Sequence, residues 1–145
     1  MSLSLCVDPS VAVKWVVGEE DAPLALDLLD DALHRPMEIL APTHIVAEVA
    51  DAIYKRYRAG VIDLEELRSS MRAFISLPVR LVHTDAVAER ALEIAVRFRL
   101  PTPYDGFYVA VAELLDCDLW TADSRLVNAL GARIPRLHLL STYRA

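Results

Sequence analysis

Asp8, Glu48, Asp105 and Asp123 are the residues whose types and surroundings could do chemistry. Asp8 follows the apolar run Leu5-Cys6-Val7 and precedes Pro9-Ser10. Asp123 follows Leu119-Trp120-Thr121-Ala122, which reads as a short buried strand. Asp105 enters a stretch that is apolar nearly all round, from Phe107 to Leu115, as in a buried helix. Buried elements rarely carry charge at their ends without a partner. Glu48 sits on the rim of an amphipathic helix, on the face that holds Ile45 and Ala52. His44 lies one turn before it, and no Lys or Arg stands four residues away, whereas Asp51 has Lys55 at that spacing.

Two carboxylates about 4 Å apart repel by roughly 4 kcal/mol at an effective dielectric near 20. Four in one crevice therefore require protonation or a cation. Oxygen donors alone favour Mg²⁺ or Mn²⁺, and such ions assist in-line displacement at phosphorus. The chemistry points to a phosphodiester. Singly, three of the acids also have an ordinary structural reading. Asp8 and Asp123 can cap the helices that follow them, and Asp105 can complete a capping box with Thr102, with Pro103 at the first helical position. Glu48, well inside a helix expected over 42–59, has no such reading.

The elements that must position these groups follow from periodicity and breakers. Strands are expected at 3–7, 38–41, 79–83, 119–122 and 136–140. Helices are expected at 11–17, from Pro23 to about 33, from Pro42 to about 59, from the Asp63-Leu-Glu-Glu66 capping box to about 76, from Thr84 or Asp85 to about 99, from 103 to 115, and at 124–130 before Gly131. Asp27, Asp30 and Asp31 read as a solvated face. Strands alternating with helices make an α/β fold with a mainly parallel sheet. Function in such sheets gathers at the strands' carboxyl ends, where strand order reverses. Asp8 and Asp123 both stand at such ends, and they are neighbours if the first and fourth strands pair.

The 145 residues suit one domain, and 54% are hydrophobic. No apolar run reaches membrane-spanning length and no signal peptide opens the chain, so the apolar excess is expected to serve a dimer or partner interface. Two cysteines, in neither disulfide nor zinc spacing, suit a reducing cytoplasm. A net charge of −6 argues against broad, non-specific nucleic-acid binding but not against a nucleic-acid enzyme.

Four segments carry a resemblance: Leu5-Cys-Val-Asp8-Pro-Ser10, Val46-Ala-Glu48-Val-Ala-Asp51-Ala-Ile53, Tyr104-Asp105-Gly-Phe-Tyr-Val-Ala-Val-Ala-Glu113 and Leu119-Trp-Thr-Ala-Asp123-Ser-Arg-Leu126. In order and spacing the chain resembles PIN-domain ribonucleases, most of all the VapC toxins of toxin–antitoxin pairs. The resemblance implies one PIN-like domain over 1–145, a Rossmann-like five-stranded sheet of order 3-2-1-4-5 with helices on both faces, and an acidic pocket of Asp8, Glu48, Asp105 and Asp123. It also implies Mg²⁺- or Mn²⁺-dependent endoribonuclease activity, a homodimer, and a cognate antitoxin that blocks the site. Ser10 and Thr121 match hydroxyl residues that would bind the acids or the ion's water. Asp51 stands where the pattern often has Asn.

Hydrolysis by activated water would leave a 5′-phosphate and a 3′-hydroxyl. Lys14 and Arg125 are candidate RNA contacts. Trp15 is expected in the core, and Lys55-Arg56, Arg58, Arg97 and Arg99 read as helix-end charges that suit the dipole. None of the histidines is given a catalytic role. The helices from Pro23 and Asp63 are the expected dimer or antitoxin face. Two rival readings are a phosphoacceptor or phosphatase with Asp8 as nucleophile and a non-catalytic binding module on the same fold.

Overall fold

A computed structural model describes residues 3–144; Met1, Ser2 and Ala145, which the expected 1–145 domain includes, lie outside the described residues. Five strands form one sheet: β1 (Ser4–Val7), β2 (Glu38–Pro42), β3 (Val79–Val82), β4 (Asp118–Thr121) and β5 (Leu137–Leu139). Every neighbouring pair is parallel, in the order β3-β2-β1-β4-β5. Leu5, Cys6 and Val7 are each at most 4% exposed. Successive strand residues face opposite ways, so both faces of the sheet are covered at its centre.

The covering helices are α1 (Pro9–Ala12), α2 (Ala22–His34), α3 (Ile45–Arg58), α4 (Leu64–Ser76), α5 (Asp85–Phe98), α6 (Tyr104–Leu114) and α7 (Ser124–Leu130). The chain lays down β1, β2 and β3 outward, then returns to place β4 on the other side of β1. Strand order thus reverses between β1 and β4, whose carboxyl ends carry Asp8 and Asp123.

Local signals account for most boundaries. The Asp63 capping box forms, with Glu66 N–H donating to Asp63 Oδ1 at 2.8 Å and Asp63 N–H to Glu66 Oε1 at 3.3 Å. Thr84 caps α5 through Val87 N–H at 3.1 Å. Trp15 is buried, its indole N–H held by the Ala25 carbonyl at 2.8 Å.

Four expectations need correction. Pro42 ends β2, paired with Val82, and α3 begins three residues later. A proline's fixed φ and missing N–H suit a strand end as well as a first helical turn. Thr102 does not cap α6: Pro103 already has helical dihedrals and is itself the N-cap, leaving Thr102 a residue too early. Asp105 is consequently the second helical residue and not a capping-box acid. The helix expected at 11–17 is one turn of α1 running into a 3-10 turn at Val13–Trp15. Asp31 is half-buried and accepts a hydrogen bond from the Tyr143 hydroxyl, so it leaves the solvated face of α2.

α6 is the buried helix, with Gly106 and Tyr108 to Ala112 inside, although Leu114 and Leu115 emerge at its end. It packs against α5 so closely that a Cβ on Gly106 would stand 2.5 Å from the Ala91 carbonyl oxygen. That oxygen is backbone and cannot swing away. Gly106→Ala is expected to destabilise by about 1–3 kcal/mol through overpacking. Thermal unfolding checks this, and an unchanged Tm would show that the two helices can separate freely.

Candidate active site

Asp8 leaves β1 at the reversal point and is 4% exposed. Its Oδ1 accepts from the N–H groups of Ser10 at 3.0 Å and Val11 at 3.3 Å and from the Ser10 hydroxyl, while its Oδ2 accepts from the Thr121 hydroxyl. The same two hydroxyls accept from β4's exit: Ala122 N–H donates to Ser10 Oγ at 2.8 Å, and Asp123 N–H to Thr121 Oγ1 at 3.0 Å. Ser10 and Thr121 therefore stitch the ends of β1 and β4 together with Asp8 in the seam. Burial pushes the Asp8 carboxyl up to about 6; these hydrogen bonds oppose the rise, and Asp105 adds to it.

Asp123 caps α7, accepting from Arg125 N–H at 2.9 Å, and the Arg125 guanidinium lies 3.4 Å from the same oxygen. Glu48 lies in the first turn of α3, because that helix starts later than Pro42 suggests. Its Oε1 accepts from the Tyr108 hydroxyl at 2.7 Å. His44 Nε2 is 3.1 Å from the same oxygen, yet it is aligned for no hydrogen bond and is buried without a partner. The His44 ring is packed among Tyr104, Phe107 and Tyr108 at 5.1–5.6 Å between centroids.

Asp105 is half-buried and differs from the other three. Among the described residues no group hydrogen-bonds or ion-pairs with its carboxylate. Burial raises its pKa, the charges of Glu48 and Asp123 raise it further, and Arg125 and His44 lower it. Asp8 in turn feels Asp105. The four predicted acids are thus electrostatic neighbours, arriving from β1, α3, α6 and the exit of β4.

The donors are all carboxylate oxygens, and their mutual repulsion is what a hard dication would relieve. The chemistry of this set fits Mg²⁺ or Mn²⁺. The spacing is looser than a finished cage: among the described residues no three His, Cys, Asp or Glu side chains stand close enough together to hold an ion as they are. Among the described residues the Asp105 carboxylate is the one of the four that no hydrogen bond or ion pair holds in place.

The remaining expected residues fall differently. Lys14 is held between Glu19 at 3.0 Å and Asp21 at 2.7 Å, with its side chain 12% exposed, so a phosphate would have to displace two carboxylates. Arg125 is 92% exposed and needs to leave only Asp123. Asp51 pairs with Lys55 at 2.7 Å and lines a cleft of about 480 Å³ with His44, Glu48 and Tyr104. Tyr108 and His44 were not among the residues expected here. The signal for Tyr108 was a phenol hydroxyl inside an otherwise apolar helix, which must find a partner. For His44 it was the i, i+4 spacing to Glu48.

Residues 5–130 match the family model described as PIN domain. Ribonuclease VapC1 of Mycobacterium tuberculosis is 31% identical over 127 residues, which cover 86% of this chain and 90% of that protein. The fold is similar to that of PAE2754 from Pyrobaculum aerophilum, with a TM-score of 0.69, 22% identity and coverage of 98% of this chain and 94% of that one. It is also similar to a chain of a toxin–antitoxin complex from Klebsiella pneumoniae, with a TM-score of 0.66, 16% identity and coverage of 97% and 99%. The order of the strands, the acids at the β1–β4 seam and these matches agree: the chain belongs to the PIN-domain family, in its VapC branch.

Proposed function

We propose that this chain is a Mg²⁺- or Mn²⁺-dependent endoribonuclease and the toxin of a toxin–antitoxin pair. The observation that carries the reading is the Asp105 carboxylate, half-buried and, among the described residues, unpaired, which feels the charges of Glu48 and Asp123 and whose own charge is felt by the buried Asp8. The ribonuclease name of the similar VapC1 supports the activity, and the similar Klebsiella complex supports an antitoxin partner. A second copy of the chain is the further expected partner. Exposed apolar residues on α2 (Leu26, Leu33) and α4 (Leu64, Ile75) offer surface for such contacts.

Asp8, Glu48, Asp105 and Asp123 would hold the cation, which when bound supplies the Lewis acidity that activates water and stabilises the leaving 3′-oxygen. The chain's own contribution is positional. Ser10 and Thr121 fix both oxygens of Asp8, and burial, which keeps a bulky phosphoryl group from reaching it, counts against an Asp8 nucleophile. Tyr108 holds Glu48: burial first, then the Glu48 charge, push the phenol far above its ordinary range, so it stays a donor at any working pH. Arg125, at the mouth, can meet the phosphate. The products are expected to be a 5′-phosphate and a 3′-hydroxyl, with no need for the RNA 2′-hydroxyl.

Three outcomes test this reading. Asp105→Asn should cut RNA only at background rate, with its thermal transition intact, and EDTA should silence the wild type. Cleavage that persists in EDTA, or a cyclic-phosphate product, would remove the metal mechanism.

Tyr108→Phe keeps the ring and loses the bond to Glu48. Cleavage or magnesium affinity should drop about 10–100-fold, the usual effect of removing a residue that orients a ligand. Wild-type values for both would show that Glu48 needs no such support.

The third outcome concerns pH in metal-free protein. Folded Asp8 titrates near 6 against an ordinary 3.8, so between those values the native state keeps a proton that the unfolded chain has released. Stability therefore falls as pH rises through this window, by roughly 3 kcal/mol in all. Calorimetry of apo protein from pH 4 to 7 should show this fall in the wild type and a flatter profile in Asp8→Asn. Parallel profiles would mean that the buried carboxylate carries no such penalty.

A further inference from the structure

The carboxyl ends of α5 and α7 meet in a cleft of about 580 Å³ whose lining includes Arg97, Phe98, Arg99, Asn128 and Arg133 and no acidic residue. Asp and Glu outnumber Lys and Arg in this chain, 21 to 15, and Lys14, Arg56, Arg80, Arg90 and Arg136 all have carboxylate partners. Among the described residues Arg97, Arg99 and Arg133 make no ion pair, as is also true of Arg35, Arg58, Arg68 and Arg72, but these three line one cleft together. Arg97 and Arg133 also share one ring, with guanidinium carbons 5.0 Å and 5.9 Å from the Phe98 centroid. Helix dipoles favour each arginine singly, by about 0.3–1 kcal/mol. They do not account for arginines from two separate elements converging on one ring and one hollow, where like charges repel.

The cleft is tied to the acids by α7. Asp123 caps one end of that helix and Gly131 the other, and its seven residues span about 10 Å. Arg125 and Asn128 are exposed and three residues apart, so they share a face that runs from the acids to the cleft. Guanidinium forks suit phosphate oxygens.

We infer that the exposed face of α7, from Arg125 past Asn128 to the Arg97, Arg99 and Arg133 cleft, is a track for the phosphate backbone of single-stranded RNA, gripping it a few nucleotides from the scissile bond. This rests on the nuclease reading and adds to it where the strand lies.

The test measures binding of a fluorescent single-stranded RNA of about 12 nucleotides to Asp105→Asn protein across a salt series. The same protein carrying Arg97→Gln, Arg99→Gln and Arg133→Gln should bind at least tenfold more weakly at low salt. Its log–log salt slope should be shallower by about 2, three contacts at roughly 0.7 each. The Lys versions of the three should keep most of the slope, which separates lost charge from lost packing. With Asp105 restored, the triple Gln protein should show a raised KM on the 12-mer, an unchanged kcat, and wild-type cleavage of a dinucleotide. Unchanged RNA affinity and slope would overturn the track. So would loss of affinity only for a polyglutamate peptide, which would give the cleft to an acidic protein. Wild-type protein that binds RNA but never cuts it would sink the nuclease reading and leave the track standing; wild type that does neither would sink both.

Discussion

Carboxylates held together against their own repulsion are the constraint on which this structure turns. Burial is the largest influence on Asp8 and on Asp105, and charge from the neighbouring acids comes on top of it. A fold can tolerate this only if other groups offset part of the strain. At Asp8 that role falls to two backbone N–H groups at the start of α1 and to two hydroxyls that also bind the exit of β4. The network that makes the charge tolerable is thus the one that fixes the strand ends relative to each other. Stability and site geometry share the same bonds.

The helix ends supply a second offset. Asp8 and Asp123 are N-caps of α1 and α7, while Glu48 and Asp105 lie in the first turns of α3 and α6. In a parallel sheet a helix that follows a strand starts near the strand's carboxyl end, as α1, α3 and α7 do, while α6 follows α5 and leads into β4, so the positive ends of several helices lie near one another. Capping and ligand binding are therefore not competing explanations for Asp8 and Asp123. The cap aims the carboxylate and lowers the penalty of keeping it ionised. Asp105 receives the helix end without any hydrogen bond, which leaves it the least constrained of the four.

Legibility in the sequence followed the range of the interaction. The α/β alternation was plain because short apolar runs and amphipathic stretches differ in period, and the strand order was implied by the resemblance of the four acidic segments. The Asp63 box and the Thr84 cap act within three residues and were readable. Pro42 and Thr102 misled because their local preferences suit two conformations, and pairing with Val82 or the dihedrals of Pro103 decided between them. Tyr108 reaches Glu48 across sixty residues of sequence. No local spacing encodes that contact. The carboxylates beside Lys14 were close in sequence, but the loop that bends them back onto it was not foreseeable from composition.

The same distinction governs charge. A net of −6 describes the far field of the molecule, and it rightly argues against indiscriminate attraction to polyanions. Within about one Debye length, roughly 8–10 Å in ordinary salt, what matters is which charges are already neutralised. Lys14, Lys55, Arg56, Arg80, Arg90 and Arg136 are spent in pairs with acids, whereas Arg125 has a single exposed contact and, among the described residues, the three arginines around the far end of α7 have no ion pair. An acidic protein can therefore present a locally basic face beside an acidic pocket. The two demand opposite things of a polyanion: attachment along one helix face, and approach to carboxylates only once a dication has cancelled their field. On the proposed reading, a strand that satisfied both would be held away from the acids until the ion was in place, which would make the cation a condition of close approach as well as of chemistry.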